Sequence, residues 1–142
     1  MAVRFAEAYW KGTLKEGEGT MKSGSGAVHG PYSFGTRFEE SRGTNPEELL
    51  GAAHAGCFSM AFSLMLEEAG YPPENVETKA DVHLEKVDDG FGITKIVLHT
   101  DAAVPKIEES EFQSIAEKEK SGCPVSKALA GVDIQLEAKL KG

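Results

Sequence analysis

The chain is poor in cysteine and carries no excess of positive charge. Two of its 142 residues are cysteine, Cys57 and Cys123, and the formal net charge is −8 with a pI near 5.0. Two cysteines 66 positions apart, in a chain without an export signal, predict free thiols rather than a structural disulfide. An acidic chain also lacks the basic face that phosphate backbones require, so we expect no nucleic-acid partner.

Long hydrophobic runs and metal-binding motifs are missing as well. No 18-residue stretch is free of charged or strongly polar side chains, so the sequence predicts no membrane span. The N-terminus, MAVRFAEAYWKG, lacks a basic segment followed by an apolar one, which predicts no signal peptide and a cytoplasmic protein. The four histidines are scattered and no CxxC or HxxxH pair occurs, so we expect no metal site.

The patterns that are present predict a single α+β domain over residues 1–142. Apolar and polar residues alternate in three segments, which is typical of half-buried strands: 76–84, 93–104 and 132–140. The Asp89-Gly90 pair predicts a hairpin between the first two. Glycine-rich turns indicate further short strands in the N-terminal third, including GPYSFGTRF, and the expected result is one antiparallel sheet with a polar face.

Helices are predicted to cover the other face of this sheet. Asn45 is a good N-cap, Pro46 suits the first helical position, and the helix is expected to run to Glu68. Because residues 49–65 are apolar on nearly every side, we expect burial on more than one face. A second helix is predicted in EESEFQSIAEKEK, and a short third one begins at Pro124.

Local physics leaves the role of each cysteine open. Cys123 immediately precedes Pro124 at a predicted helix N-cap, where the helix dipole favours a thiolate. Cys57 lies in the middle of an apolar helix, where burial disfavours its anion and core packing is the simpler interpretation. A cation near Cys57 would change this, and Arg37 is the nearest candidate, although a surface arginine is the simpler interpretation.

Three further residues near Cys57 have two possible interpretations each. Helix geometry places Glu48 on the face opposite Cys57 and Glu47 nearer to its side, about 15 Å away along the axis. Both glutamates also suit the positive end of a helix dipole. His54 lies one turn before Cys57 and could form a Cys–His pair, but a hydrogen-bonded core histidine is favoured because such side chains point in parallel.

Three stretches of the sequence together resemble the OsmC/Ohr family of hydroperoxide reductases: TRFEESRGTNPEELLGAAHAGCFSMAFSLMLEEAGY, ADVHLEKVDDGFGITKIVLHT and SGCPVSKAL. His54, where the Ohr branch tends to have tyrosine, favours the OsmC branch. The resemblance implies an intertwined homodimer in which antiparallel sheets wrap two long central helices. It also implies that the active site lies at the subunit interface.

The resemblance further implies a role for four residues. Cys57 would be the peroxidatic cysteine and Cys123 the resolving one, with Arg37 and Glu47 completing the site. The implied reaction reduces an organic hydroperoxide, and more weakly hydrogen peroxide, to an alcohol or water through a sulfenic acid and an intramolecular disulfide, which an external dithiol reduces. This reaction implies no metal, haem or flavin cofactor.

Three alternatives remain open at this level. One is a hydrolase or acyl transferase that uses Cys57 and His54, and another is a non-catalytic redox sensor that uses the same thiols. The third is a dimer whose apolar interface binds a lipid, with both cysteines incidental.

Overall fold

A computed structural model describes residues 2–141 of the chain, and it confirms the predicted α+β class. These residues form two compact units, Met1–Leu49 and Leu50–Gly142, and the boundary falls within the longest helix. The single domain expected over residues 1–142 stays a prediction. In chain order the elements are β1 Ala6–Lys11, β2 Glu18–Ser23, β3 His29–Tyr32, α1 Phe34–Phe38, α2 Pro46–Glu68, β4 Asn75–Val87, β5 Gly90–Ala103, α3 Glu109–Gly122, α4 Pro124–Ala128 and β6 Asp133–Lys141.

The first unit contains an antiparallel sheet in the order β1-β2-β3. Gly19 lets two aromatic rings close over β2, because a Cβ there would lie 2.7 Å from the Trp10 ring and 2.8 Å from the Tyr32 ring. The centroids of those rings are 5.3 Å apart. The predicted strand over GPYSFGTRF is wrong beyond Tyr32, since Ser33 and Thr36 form a capping box that begins α1.

The second unit contains a separate sheet in the order β4-β5-β6, so the prediction of one sheet is wrong. Its β4–β5 hairpin is confirmed: Val87 pairs with Gly90, which has φ +126°, a conformation that favours glycine. The prediction of a wholly antiparallel sheet is also wrong, because β6 pairs with β5 in parallel. The helices α3 and α4 supply the crossover that parallel neighbours require, and alternation along a strand carries no information about its direction.

The buried face of α2 forms the centre of the second unit. Its fully buried side chains recur every four residues, at His54, Phe58, Phe62 and Leu66. This spacing places them on one face of the helix. The apolar members pack in a core with side chains from β5 and α3, including Ile96, Leu98, Phe112 and Ala116.

The opposite face of α2 is exposed in a single copy of the chain. An apolar row at four-residue spacing, which we call the α2 outer row, consists of Ala52, Gly56, Met60 and Leu64. Met60 is 78% exposed and Leu64 is 52% exposed. The expectation that α2 is buried on more than one face is therefore not met within residues 2–141 of one chain.

By length and composition alone, α2 could cross a membrane. Its most apolar window has a mean hydropathy of 1.6, and 28% of that window is buried inside the protein. The core helix of a soluble protein meets the same criterion, and α2 contributes a continuous row to the core of the second unit. The helix is therefore weak evidence for a membrane span.

Candidate active site

The two cysteines come together where α4 begins beside α2. Both are free thiols; Cys57 is half-buried in α2, and Cys123 is fully buried between α3 and α4. The backbone N–H of Val125, in the first turn of α4, donates to the Cys57 Sγ at 3.5 Å. Cys123 is two residues before Val125, and its interaction with Cys57 raises the pKa of the Cys57 thiol. Cysteines 66 positions apart in sequence are thus neighbours in the fold, as a disulfide between them would require.

Cys123 occupies the N-cap of α4, as the sequence predicts. Its Sγ accepts from the backbone N–H of Ser126 at 3.4 Å, and Pro124 follows at the first helical position. Proline fits there because the first N–H groups of a helix have no partner within it. The cap fixes the orientation of Cys123 toward the interior.

The surroundings of Cys57 favour its protonated form. Burial raises the pKa of the Cys57 thiol, partly opposed by the Val125 N–H, and the adjacent Cys123 and the negative charge of Glu119 raise it further. Glu119 is itself buried near the end of α3. The described groups of the second unit that act on Cys57 are therefore an acid, a thiol and an amide, and a thiolate there would need a cation.

His54 is hydrogen-bonded inside the core, as the sequence favours, and its partner is Ser126, which the sequence does not predict. Its Nε2 lies 2.7 Å from the Oγ of Ser126, and that oxygen accepts from the Cys123 Sγ at 3.1 Å. Among residues 2–141, the Nδ1 of His54 has no hydrogen-bond partner. The only sequence signal for Ser126 is a hydroxyl three positions after the capping cysteine, a common N-terminal arrangement.

Arg37 and Glu47 form an ion pair in the first unit. The Arg37 Nε lies 3.1 and 3.2 Å from the two carboxylate oxygens, and its Nη2 lies 2.9 Å from one of them. Glu47 is 7% exposed, so its charge is largely shielded from water and needs this partner. The Nδ2 of Asn45 donates to the carbonyl of Thr36 at 3.1 Å, which ties α1 to the start of α2.

The neighbouring glutamate behaves differently, as the helix geometry predicts. Glu48 is exposed and accepts from the hydroxyl of Thr44 at 2.7 Å. Its backbone N–H donates to the Asn45 Oδ1 at 2.7 Å, which confirms the predicted N-cap of α2. Glu47 thus forms a largely buried ion pair, whereas the adjacent Glu48 faces solvent and contacts Thr44, just before the helix.

An apolar cavity adjoins Arg37 within the first unit. It has a volume of about 250 Å³ and is lined by Trp10, Leu14, Tyr32, Ser33, Phe34, Arg37 and Phe38. The guanidinium carbon of Arg37 lies 5.4 Å from the centre of the Phe38 ring, within cation–π range. A cation at the edge of an aromatic cavity suits a ligand with a polar end and an apolar body.

A group of titratable side chains also lies on the polar side of the second sheet. His99 bonds the Asp81 carboxylate through Nε2 at 2.9 Å, and its Nδ1 lies 3.6 Å from a Glu137 oxygen. The interactions with Lys79 and His99 lower the pKa of Asp81. Within residues 2–141, no three His, Cys, Asp or Glu side chains are placed to hold a metal ion.

Comparison with known proteins places the chain in a family. Residues 38–137 match the model of the OsmC-like protein family. The chain belongs to this family. It is 55% identical over 136 residues to peroxiredoxin OsmC of Escherichia coli, covering 95% of this chain and 94% of that protein. This match confirms the resemblance to the OsmC branch.

More distant relatives match the chain in sequence or in fold. An organic hydroperoxide resistance protein of Xanthomonas axonopodis pv. citri is 33% identical over 96 residues, or 66% of each chain. A crystal structure of an organic hydroperoxide resistance protein OsmC from Legionella pneumophila matches with a TM-score of 0.75 at 24% identity. It covers 98% of this chain and 99% of that one, which confirms an OsmC-like fold.

Proposed function

We propose that this chain is a thiol-dependent peroxidase that reduces organic hydroperoxides to alcohols. The observation that carries the proposal is the pair of free cysteines that α2 and α4 bring together, one half-buried and one fully buried. The 55% identity to peroxiredoxin OsmC over nearly the whole chain supports the same activity. A half-buried thiol can meet a substrate, while a buried neighbour can react only with that first thiol.

The proposed reaction has three steps. The Cys57 thiolate attacks the distal peroxide oxygen, the O–O bond breaks, and the alkoxide leaves as an alcohol after taking up a proton. Cys57 is thereby oxidised to a sulfenic acid, and Cys123 attacks its sulfur to form a disulfide with the release of water. An external dithiol then reduces the disulfide by exchange.

We assign Arg37 and Glu47 to the same reaction. A guanidinium is charged at every physiological pH, so it can stabilise a thiolate and bind a peroxide oxygen. The ion pair supports this assignment because the buried Glu47 carboxylate fixes the direction of the guanidinium. Because the pKa of the Cys57 thiol is raised, its thiolate needs a nearby positive charge, which Arg37 would supply.

The apolar surroundings of the assigned residues favour organic hydroperoxides over hydrogen peroxide. Phe58 follows Cys57 in the core, and the cavity beside Arg37 is lined mainly by aromatic side chains. Each CH₂ group that a substrate buries contributes about 0.8 kcal/mol to its binding free energy, and hydrogen peroxide has no CH₂ group.

We also propose that the protein is a homodimer joined through the α2 outer row. The row is apolar and exposed, and a Cβ built on Gly56 would meet nothing within 4 Å. Small residues beside the long Met60 allow a second copy of α2 to approach closely and bury that side chain. Apolar surface of this kind is costly to leave in water.

The similarity to peroxiredoxin OsmC supports a soluble protein, and we propose the cytoplasm as its compartment. The thiols are free, and the reducing cytoplasm both maintains free thiols and supplies dithiol reductants. We further propose that residues 1–142 form a single OsmC-like domain with no cofactor of its own, which the match to peroxiredoxin OsmC over 95% of this chain supports.

A coupled assay tests the proposed function against the hydrolase alternative. Reduced protein is given cumene hydroperoxide, tert-butyl hydroperoxide or hydrogen peroxide with a lipoyl or a thioredoxin reducing system, and the loss of NADH or NADPH, respectively, is followed. We expect multiple turnovers, with a higher kcat/KM for cumene hydroperoxide than for hydrogen peroxide. Thiol oxidation without turnover would favour a redox sensor, and hydrolysis of p-nitrophenyl acetate dependent on Cys57 would favour a hydrolase. The hydrogen bond between His54 and Ser126 counts against a hydrolase, because it engages the His54 nitrogen with Ser126 and not with Cys57.

A further inference from the structure

We infer that Ser126 and His54 form a proton relay that deprotonates Cys123 when the disulfide forms. The inference rests on the proposed function, because it concerns the step in which Cys123 attacks an oxidised Cys57. It adds two residues to that step, Ser126 as a catalytic residue that touches the attacking sulfur and His54 as a positioning residue that acts through Ser126.

The relay rests on two hydrogen bonds that Ser126 makes, one with Cys123 and one with His54. The Cys123 thiol donates to the Ser126 Oγ at 3.1 Å. The Ser126 oxygen has two lone pairs and one proton, and its other neighbour is the His54 Nε2 at 2.7 Å. The relay assigns the hydroxyl proton to that nitrogen. This arrangement assigns the imidazole proton to Nδ1, the nitrogen that has no partner among residues 2–141.

His54 is suited to accept a proton and ill suited to a merely apolar position. It is fully buried in the same row as Phe58, and an unbonded polar ring there would be costly. Burial lowers the pKa of His54, so the imidazole is neutral at pH 7 and has a free lone pair on Nε2. The sequence therefore places a neutral base at a core position where an aliphatic side chain would pack more simply.

The titratable groups around the thiol pair come from three elements. Cys57 and His54 lie on α2, Glu119 lies on α3, and Cys123 caps α4. The negative charge of Glu119 raises the pKa of Cys57 and so opposes formation of a thiolate in its neighbourhood. A relay that removes the proton of Cys123 only as its sulfur attacks avoids a free buried thiolate.

The step balances in atoms and electrons. The Cys123 proton passes to the Ser126 oxygen while the Ser126 proton passes to His54 Nε2, and the Cys123 sulfur bonds to the Cys57 sulfur. The S–O bond of the sulfenic acid breaks, and the departing hydroxide takes up one proton from solvent to leave as water. His54 then returns one proton to solvent, so the step has no net gain or loss of protons. The Cys123 sulfur is oxidised and the Cys57 sulfur is reduced to the level of a disulfide.

Single-turnover kinetics of the full chain test the relay. Reduced protein is mixed with one equivalent of cumene hydroperoxide, and peroxide loss and disulfide formation are followed separately from pH 6 to 9. In the native chain we expect the disulfide step to be flat from pH 7 to 9. In Ser126→Ala and His54→Gln we expect the disulfide step to slow at least tenfold at pH 7 and to become faster as pH rises, because hydroxide must then remove the Cys123 proton.

Matched variants separate the relay from a structural role. Ser126→Thr keeps the hydroxyl and should restore most of the rate, and Ser114→Ala, at an exposed serine of α3, should behave as the native chain. The relay is overturned if Ser126→Ala and His54→Gln form the disulfide with the native rate and pH profile. It is equally overturned if the native step itself rises tenfold with pH between 7 and 8, a result that needs no variant.

A peroxide-free version distinguishes failure of the relay from failure of the proposed function. The half-buried Cys57 is converted to a mixed disulfide with 5-thio-2-nitrobenzoate, and attack by Cys123 is read from release of the coloured thiol. Loss of peroxide consumption in the native chain would refute the peroxidase, while this release would still show whether Ser126→Ala slows Cys123. An unslowed release in Ser126→Ala would refute the relay.

Discussion

Arg37 and Glu47 are joined by three N–O contacts of 2.9 to 3.2 Å between one guanidinium and one carboxylate. The contacts use Nε and Nη2 of the guanidinium. The Arg37 side chain is 37% exposed, whereas that of Glu47 is 9% exposed. The carboxylate therefore acts as a fixed anchor, and the rest of the guanidinium remains available for a second anionic or polar partner.

Removing either partner of this ion pair should lower peroxidase activity. We expect Arg37→Met to reduce kcat/KM for cumene hydroperoxide by roughly a hundredfold, the usual cost of losing one stabilising group for a developing charge. Arg37→Lys should be intermediate, because an ammonium keeps the charge but not the forked geometry. Glu47→Gln should cost about tenfold by releasing the orientation of Arg37.

Glu48→Gln is the matched control for the neighbouring position. Glu48 is exposed and contacts Thr44, so we expect kcat/KM within about twofold of the native value and a change in stability within about 0.5 kcal/mol. Steady-state kinetics and denaturant unfolding measure these quantities. Equal losses at positions 47 and 48 would contradict the assignment of Glu47.

The two cysteine variants should fail at different steps. Cys57→Ser should consume no peroxide, since a hydroxyl holds its proton too firmly to replace a thiolate. Cys123→Ser should consume one equivalent and stop at a sulfenic acid on Cys57 that dimedone traps. Mass spectrometry of the trapped peptides checks this. A sulfenate trapped on Cys123 in the Cys57→Ser protein would show that Cys123 attacks the peroxide and that Cys57 is the resolving cysteine.

A charge in the α2 outer row should prevent dimerisation. We expect sedimentation equilibrium to find the native chain dimeric at micromolar concentration and Met60→Glu monomeric, because an unpaired carboxylate is costly in an apolar interface. Lys86→Glu, at an exposed position of β4, is the control and should stay dimeric. A native chain that sediments as a folded monomer would rule out the proposed interface.

His54 should make stability depend on pH in the mildly acidic range. Its pKa is lower in the folded chain than the ordinary 6.5, so the unfolded chain binds its proton first. Neutral His54 contributes its full stability above pH 6.5, and this contribution to the free energy of unfolding is lost as pH falls through the folded pKa. The slope of the free energy of unfolding is at most about 1.4 kcal/mol per pH unit. Denaturant unfolding between pH 5 and 7 measures it.

Variants isolate this contribution from other histidines. His54→Gln should remove the slope assigned to His54, whereas His29→Gln, at an exposed position of β3, should retain the native dependence. Asp81, whose pKa is lowered, affects stability only near and below its ordinary value of 3.8. A slope that persists unchanged in His54→Gln would show that another group causes it.

Much of the local structure follows from the sequence. Asn45 and Pro46 predict where α2 begins, Asp89-Gly90 predicts the hairpin, and Pro124 predicts α4 with Cys123 as its cap. These features depend on the backbone dihedrals and hydrogen bonds of a few consecutive residues, which neighbouring side chains control. The different environments of Glu47 and Glu48 are also predictable from the sequence, because adjacent residues of a helix point about 100° apart.

Relations between distant segments were decided only by the tertiary structure. The alternation in β6 predicts a strand but not its parallel direction, which depends on the crossover through α3 and α4. The bond from His54 to Ser126 joins positions 72 apart. Neither residue carries a local signal for the other, because their contact exists only after α4 has packed on α2.

The candidate site shows the same division. The sequence alone determined that two thiols, a cation and an acid occur in motifs of one family, and residue physics favoured Cys123 over Cys57 as the reactive thiol. The tertiary structure decided that Cys57 is the more exposed of the two and that Ser126 lies between Cys123 and His54. The physical reason is that exposure and hydrogen-bond partners are properties of packed surfaces, which form between segments that are remote along the chain.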